Sequence, residues 1–158
     1  MDEPQQKVAD IINSTTIAMM THVTSDGRLT AHPMATQDAD FTGTVLFIAE
    51  RDSDKVRDLE SDPRVNLAYS GNGSWVSLAG TASIVDDEAR LRDLWSTFTD
   101  AWLTGGPENP NNILIEVQAD SAEYWDAPGS SKTVRLANLV TSAVKGERAE
   151  GDNDVVDF

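Results

Sequence analysis

The sequence predicts a mainly β (α+β) domain, a small antiparallel barrel carrying inserted helices. Three observations lead there. Five or six short segments rich in β-branched and apolar residues are separated by hairpin turns. The helical stretches are inserted between strands rather than alternating with them, which disfavours a doubly wound parallel sheet. The chain has 158 residues, enough for one full core and too few for two ordinary domains, and shows no internal repeat.

The elements follow in chain order. Residues 4–13 place Val8, Ile11 and Ile12 on one face behind Pro4, the pattern of a short amphipathic helix that caps the barrel. Residues 15–24 and 29–36 read as two strands around Ser-Asp-Gly-Arg, where Asp26-Gly27 is a type I′ hairpin signal. Residues 44–50 (TVLFIAE) form a nearly continuous apolar strand, followed by a short helix over 52–61 that Pro63 ends. Residues 64–70 alternate Val65, Leu67 and Tyr69 with small or polar residues. After Gly-Asn-Gly a long strand runs over 74–85, and Gly80 in its middle marks a bulge or a close approach. Leu91, Leu94, Trp95, Phe98 and Trp102 recur at helical spacing, which predicts one amphipathic helix over 86–103 ended by TGGPENPNN. Residues 113–119 are a strand, 121–128 turn out of it, and 132–145 read as a last helix. The remainder is a polar tail on which Val155, Val156 and Phe158 can dock.

Composition removes several classes of function. With no cysteine, disulfides, thiolate metal sites and cysteine nucleophiles are excluded. A formal charge of -15 repels phosphate backbones and anionic membrane surfaces, so neither nucleic acid nor membrane is an expected partner, although a local basic pocket can still hold one small anion. No apolar run approaches the roughly 20 residues that span a bilayer, and MDEPQQK does not resemble a secretory signal, which makes the cytoplasm the expected location.

Few motifs carry chemistry on their own. Gly-x-Ser-x-Gly, Ser-x-x-Lys, Gly-x-Gly-x-x-Gly after a strand and the Walker pattern are all missing. With a two-residue turn at Asp26-Gly27, Thr21 pairs with His32 and His22 with Ala31, so the two histidines fall on opposite faces and a His–His metal site is disfavoured. The best anion site is the strand-to-helix junction Arg51-Asp52-Ser53-Asp54-Lys55. Free backbone N–H groups, the Ser53 hydroxyl and the Lys55 ammonium can converge there on a phosphate. The same residues also describe a Ser53 helix cap beside a solvated Lys55. His32, on a face with Met19, Val23 and Met34, can add a donor or serve as a core-edge histidine. Of the four tryptophans, Trp95 packs the helix, whereas Trp102 and Trp125 sit at element ends, where an aromatic stacks on a planar ligand or fills an interface.

Taken together, HPM at 32–34, VLFIAERDSDKVRDLESDPRVNLAYS at 45–70, SWVSLAGTASIVDD at 74–87, LW…AWLTGGPENP at 94–110 and AEYWD at 122–126 resemble the FMN-binding split barrels of the pyridoxamine 5′-phosphate oxidase-like superfamily, in its general stress protein 26 branch. The resemblance implies a split β-barrel, an antiparallel Greek-key-like barrel over residues 1–145 with an acidic tail over 146–158. It implies a homodimer with two flavins, FMN in the first place, at the subunit interface. It places His32, Ser53 and Lys55 at the flavin phosphate and Phe47, Ile48 and Ala49 along the strand facing the isoalloxazine. Pro33 and Met34 fall in the Arg-Pro-Met stretch of the family, and Trp102 and Trp125 fall near the pocket. Two departures stand out: His32 replaces a common Arg, and the basic C-terminal segment that holds pyridoxamine phosphate is missing. An FMN-dependent oxidoreductase is the reading that follows. The alternatives are an F420-dependent reductase on the same barrel and a non-enzymatic stress or binding protein.

Overall fold

The computed structural model describes residues 1–37, 40–127 and 151–158. Its first helix, α1 (Glu3–Asn13), begins with a capping box between Asp2 and Gln5 and buries Val8, Ala9, Ile11 and Ile12, the face expected from the spacing. Seven strands follow in one antiparallel sheet: β1 (Ile17–Val23), β2 (Leu29–Ala35), β3 (Thr44–Glu50), β4 (Arg64–Gly71), β5 (Ser74–Val85), β6 (Asn112–Asp126) and β7 (Asp152–Asp157). Helix α2 (Asp54–Ser61) connects β3 to β4, and α3 (Glu88–Leu94) and α4 (Thr97–Trp102) lie between β5 and β6.

Along the strand order β2-β1-β4-β5-β6-β3, with β7 paired to β6 off this path, β2 and β3 are the ends of a sheet that curls without closing, a split barrel. The amide of Gln37, just after β2, still donates to the Leu46 carbonyl of β3 at 2.9 Å. The barrel therefore nearly meets at one end of these strands and gapes at the other. Its interior holds Met20, Phe47, Leu67, Tyr69, Leu78 and Ile115, with α1 packed against it.

Four expectations need correction. The first hairpin has a three-residue loop instead of a two-residue turn. The Gly27 amide donates to the Thr24 carbonyl at 2.9 Å with Gly27 at φ +81°, and the Thr24 amide then pairs with Arg28. This is a turn closed by a left-handed glycine, and it slips the register by one residue. His32 therefore faces Met20, and His22 faces Thr30.

The helix expected over 86–103 is two helices. Trp95 is extended, and Ser96 starts α4 with a capping box to Thr99, because Ser and Thr favour capping over helix interiors. Of the expected core face only Leu91 is buried, while Phe98 and Trp102 are exposed.

The strand expected over 113–119 continues as β6 to Asp126, where a turn had been expected. It does so past a bulge at Asp120 opposite Ala79 and Gly80. Finally, the chain end adds β7 to β6, burying Val156 and setting Phe158 edge-on against Phe41 with ring centroids 5.3 Å apart. Val155 stays exposed. The helix expected over 132–145 lies outside the described residues.

Candidate functional site in the cleft between the free sheet edges

The opening between β2 and β3 forms a cleft of about 450 Å³, within the roughly 300–1,000 Å³ of small-molecule sites. Pro33, Met34 and Ala35 form one wall, and Ile48, Ala49 and Glu50 the other. Ser53 and Lys55 close one end, and Phe98, Trp102 and Leu103 cover it from α4. The walls are largely apolar, which suits a planar aromatic ligand.

The polar end is built by the start of α2. Ser53 is its N-cap, with Oγ accepting the Val56 amide at 3.4 Å. The amides of Asp54 and Lys55 have no partner among the described residues and carry the positive end of the helix dipole.

Lys55 is half-buried, and its ammonium donates to the Met34 thioether at 3.1 Å. Among the described residues, Lys7, Arg28, Arg51, Arg57, Arg64, Arg90 and Arg92 each contact a carboxylate, and Lys55 is the Lys or Arg that does not. In a chain with 27 acids against 12 bases, a cation facing a cleft without a carboxylate partner among the described residues has the chemistry to receive an anion. Burial lowers the Lys55 pKa, with Glu50 opposing the shift.

His32 stands beside this end on β2, half-buried, with its pKa lowered first by burial and then by Lys55 and His22, while Asp58 raises it. Its face is shared with Met20, His22 and Met34, not with Met19 and Val23, because of the one-residue register slip. The two histidine rings therefore stack, with centroids 5.3 Å apart and planes 17° from parallel. Among the described residues no group of three His, Asp or Glu side chains could hold a metal ion.

Pro33, Met34, Ile48, Ala49, Ser53, Lys55 and Trp102 thus meet at one cleft, with His32 next to its polar end. Two of the expected residues do not join them. Phe47 is fully buried with its side chain in the core, as the alternation of β3 dictates. Trp125 lies opposite Trp75 across β5 and β6, both partly exposed on the outer sheet surface.

The sequence matches the pyridoxamine 5′-phosphate oxidase like family model over residues 3–150. The chain belongs to the pyridoxamine 5′-phosphate oxidase-like family. It is 32% identical over 163 aligned residues to protein bli-3 of Neurospora crassa, covering 94% of this chain and 77% of the relative. The general stress FMN/FAD binding protein of Xanthomonas citri shares 28% identity and a TM-score of 0.70, over 82% of this chain and 93% of that one. General stress protein 26 of Bacillus anthracis shares 25% identity at TM-score 0.70, over 78% and 94% of the two chains.

For this oxidase-like chain, sequence reasoning missed the part α4 plays. Phe98 and Leu103 line the cleft only because the helix breaks at Trp95, a break that the Ser96–Thr99 pair signals as a capping box. It also missed the proximity of His22, which depends on the hairpin register.

Proposed function

We propose that the chain is a cytoplasmic, homodimeric FMN-binding protein of the general stress type, with the flavin at the subunit interface, acting as an FMN-dependent oxidoreductase. The observation that carries this reading is Lys55, a cation without a carboxylate partner among the described residues, placed at the polar end of an apolar cleft. The residues fit the group. The Lys55 ammonium, the amides of Asp54 and Lys55 and the Ser53 hydroxyl would hold the phosphate. Met34, Ile48 and Ala49 offer apolar surface to the ring system, and Trp102, 74% exposed, offers a face for stacking or for a partner subunit. The Xanthomonas citri relative, named for FMN/FAD binding, supports the same reading.

Bound flavin supplies the electron transfer, so that the protein's share is orientation and exclusion of water. None of the residues lining the cleft has to act as acid, base or nucleophile.

The test is the flavin absorbance retained after mixing with FMN and desalting, with sedimentation velocity for the dimer and NAD(P)H reduction for activity. Retained flavin is expected, with Lys55→Ala weakening FMN affinity by about ten- to a hundredfold, the worth of a hydrogen bond from a charged group. Equal retention by wild type and Lys55→Ala would overturn the phosphate assignment.

A further inference from the structure

His22 and His32 are the only histidines of the sequence, and the fold stacks them. His22 is 1% exposed, and its Nε2 lies 3.1 Å from Asp58 Oδ2. The other Asp58 oxygen accepts the Ser25 amide at 3.2 Å, which ties α2 to the first hairpin. Asp58 thereby fixes the tautomer with the proton on Nε2 and leaves Nδ1 of His22 buried without a partner. Among the described residues, the titratable groups acting on His32 are Lys55 and Asp58 from α2 and His22 from β1, while Glu50 at the end of β3 acts on Lys55.

Without an anion, burial, Lys55 and His22 lower the His32 pKa, and Asp58 opposes them. A phosphoryl dianion at the Lys55 end would oppose that lowering, because its two negative charges would stand beside Met34, the next residue on the His32 face of β2.

We propose that Asp58, His22 and His32 form a proton-linked half of the anion site, in which His32 takes up one proton as a phosphoryl dianion binds and His22, held by Asp58, is the positioning residue whose ring the His32 ring stacks on. This rests on the phosphate reading of the Lys55 site and specifies the ligand class and its linkage. The proton balance follows. Above about pH 7 the phosphoryl group is a dianion, its second pKa being about 6, and His32 is neutral, so one proton enters from solvent on binding. Below about pH 6 the ligand carries its own proton, so binding draws less than one proton from solvent.

The experiment measures dissociation constants for FMN and for riboflavin, which lacks the phosphoryl group, from pH 6 to 8.5. For the wild type, FMN affinity falls about tenfold per pH unit above pH 7, and riboflavin affinity stays flat. His32→Arg flattens the FMN profile, because a guanidinium does not titrate here. Asp58→Asn moves the fall-off to lower pH. His22→Leu removes a group that opposes charge on His32, so it moves the fall-off to higher pH and leaves riboflavin affinity unchanged, whereas loss of a merely structural contact would weaken both. Should His22→Leu fail to fold, the wild-type and His32→Arg profiles still decide. Tight FMN binding that is flat across this range, or a slope that survives His32→Arg, overturns the proton linkage while sparing the phosphate reading. Failure of FMN to bind at every pH, in His32→Arg as well, overturns both.

Discussion

Tyr69 shows how much one side chain can carry in this barrel. It is fully buried, with its hydroxyl 2.9 Å from Thr36 Oγ1, and burial pushes its pKa up to about 12, against a weaker lowering by the Thr36 contact. A phenol whose folded pKa exceeds its unfolded value of 10.0 contributes stability that is fully present below the unfolded value and is lost as pH rises through the folded one. Stability should therefore fall between pH 10 and about 12 by on the order of 2–3 kcal/mol. Tyr124, also raised by burial and by Asp152, adds a smaller fall. Tyr69→Phe should cost about 1 kcal/mol near neutral pH through the lost hydrogen bond, yet show a shallower alkaline decline. Denaturant unfolding of both proteins at neutral and alkaline pH checks this, and parallel curves would mean that Tyr69 ionises freely. The burial of Tyr69 is legible in the sequence as one of the apolar beats Val65, Leu67 and Tyr69. The pairing of His22 with Asp58 is not, because it needs a contact across 36 positions and a hairpin register that the dipeptide Asp26-Gly27 leaves open between two loop lengths.

At the scale of elements, what was legible depended on how local the cause was. The strands β3 and β5 coincide with their expected spans, since hydrophobic pattern and turn residues at both ends agree. The path of β6 beyond residue 119 was not visible, because the bulge at Asp120 is imposed by its pairing with β5. Gly80 did announce that feature. A Cβ there would come 2.5 Å from the Gln118 carbonyl oxygen and 2.8 Å from Val117 Cγ1, and a neighbouring strand's backbone has little room to yield. Gly80→Ala should destabilise by at least the roughly 1–3 kcal/mol of a forced overpacking, and thermal unfolding measures it. An unchanged midpoint would show that β5 and β6 can separate locally at no cost. The candidate site divides the same way. Its polar end, Ser53 and Lys55, lies on one local motif and was legible, whereas its cover comes from α4, whose separate existence turns on a cap at Ser96 inside an apparently continuous helical pattern.

For the whole molecule the dominant fact is charge. A net -15 on 158 residues means that the carboxylates repel one another across the surface, and this repulsion acts against the compact state. The ion pairs do little to offset it. Arg28–Asp26, Arg57–Asp54 and Arg92–Glu88 are solvent-exposed, and pairs of that kind contribute about 0–1 kcal/mol each. Salt therefore acts in two directions, weakening these pairs slightly and screening a much larger number of unpaired acids, with the Debye length falling from about 30 Å at 0.01 M to about 3 Å at 1 M. The second effect should win, because repulsions between distant acids vanish over that range while contacts near 3 Å persist. The melting temperature should rise by several degrees from about 0.01 M to 0.5 M sodium chloride, at about 2–4 °C per kcal/mol for a chain of this size. The same screening should strengthen self-association, since each protomer brings its full negative charge to any dimer. The outer sheet surface that carries Ile17, Met19, Trp75 and Trp125 is apolar enough to gain from the contact. Calorimetry and sedimentation velocity on the same salt series separate the two effects. A melting temperature that rises at concentrations where the protein stays monomeric reports intramolecular repulsion alone. A flat or falling melting temperature would mean that the arginine–carboxylate pairs, not the excess of acids, govern the electrostatics of this fold.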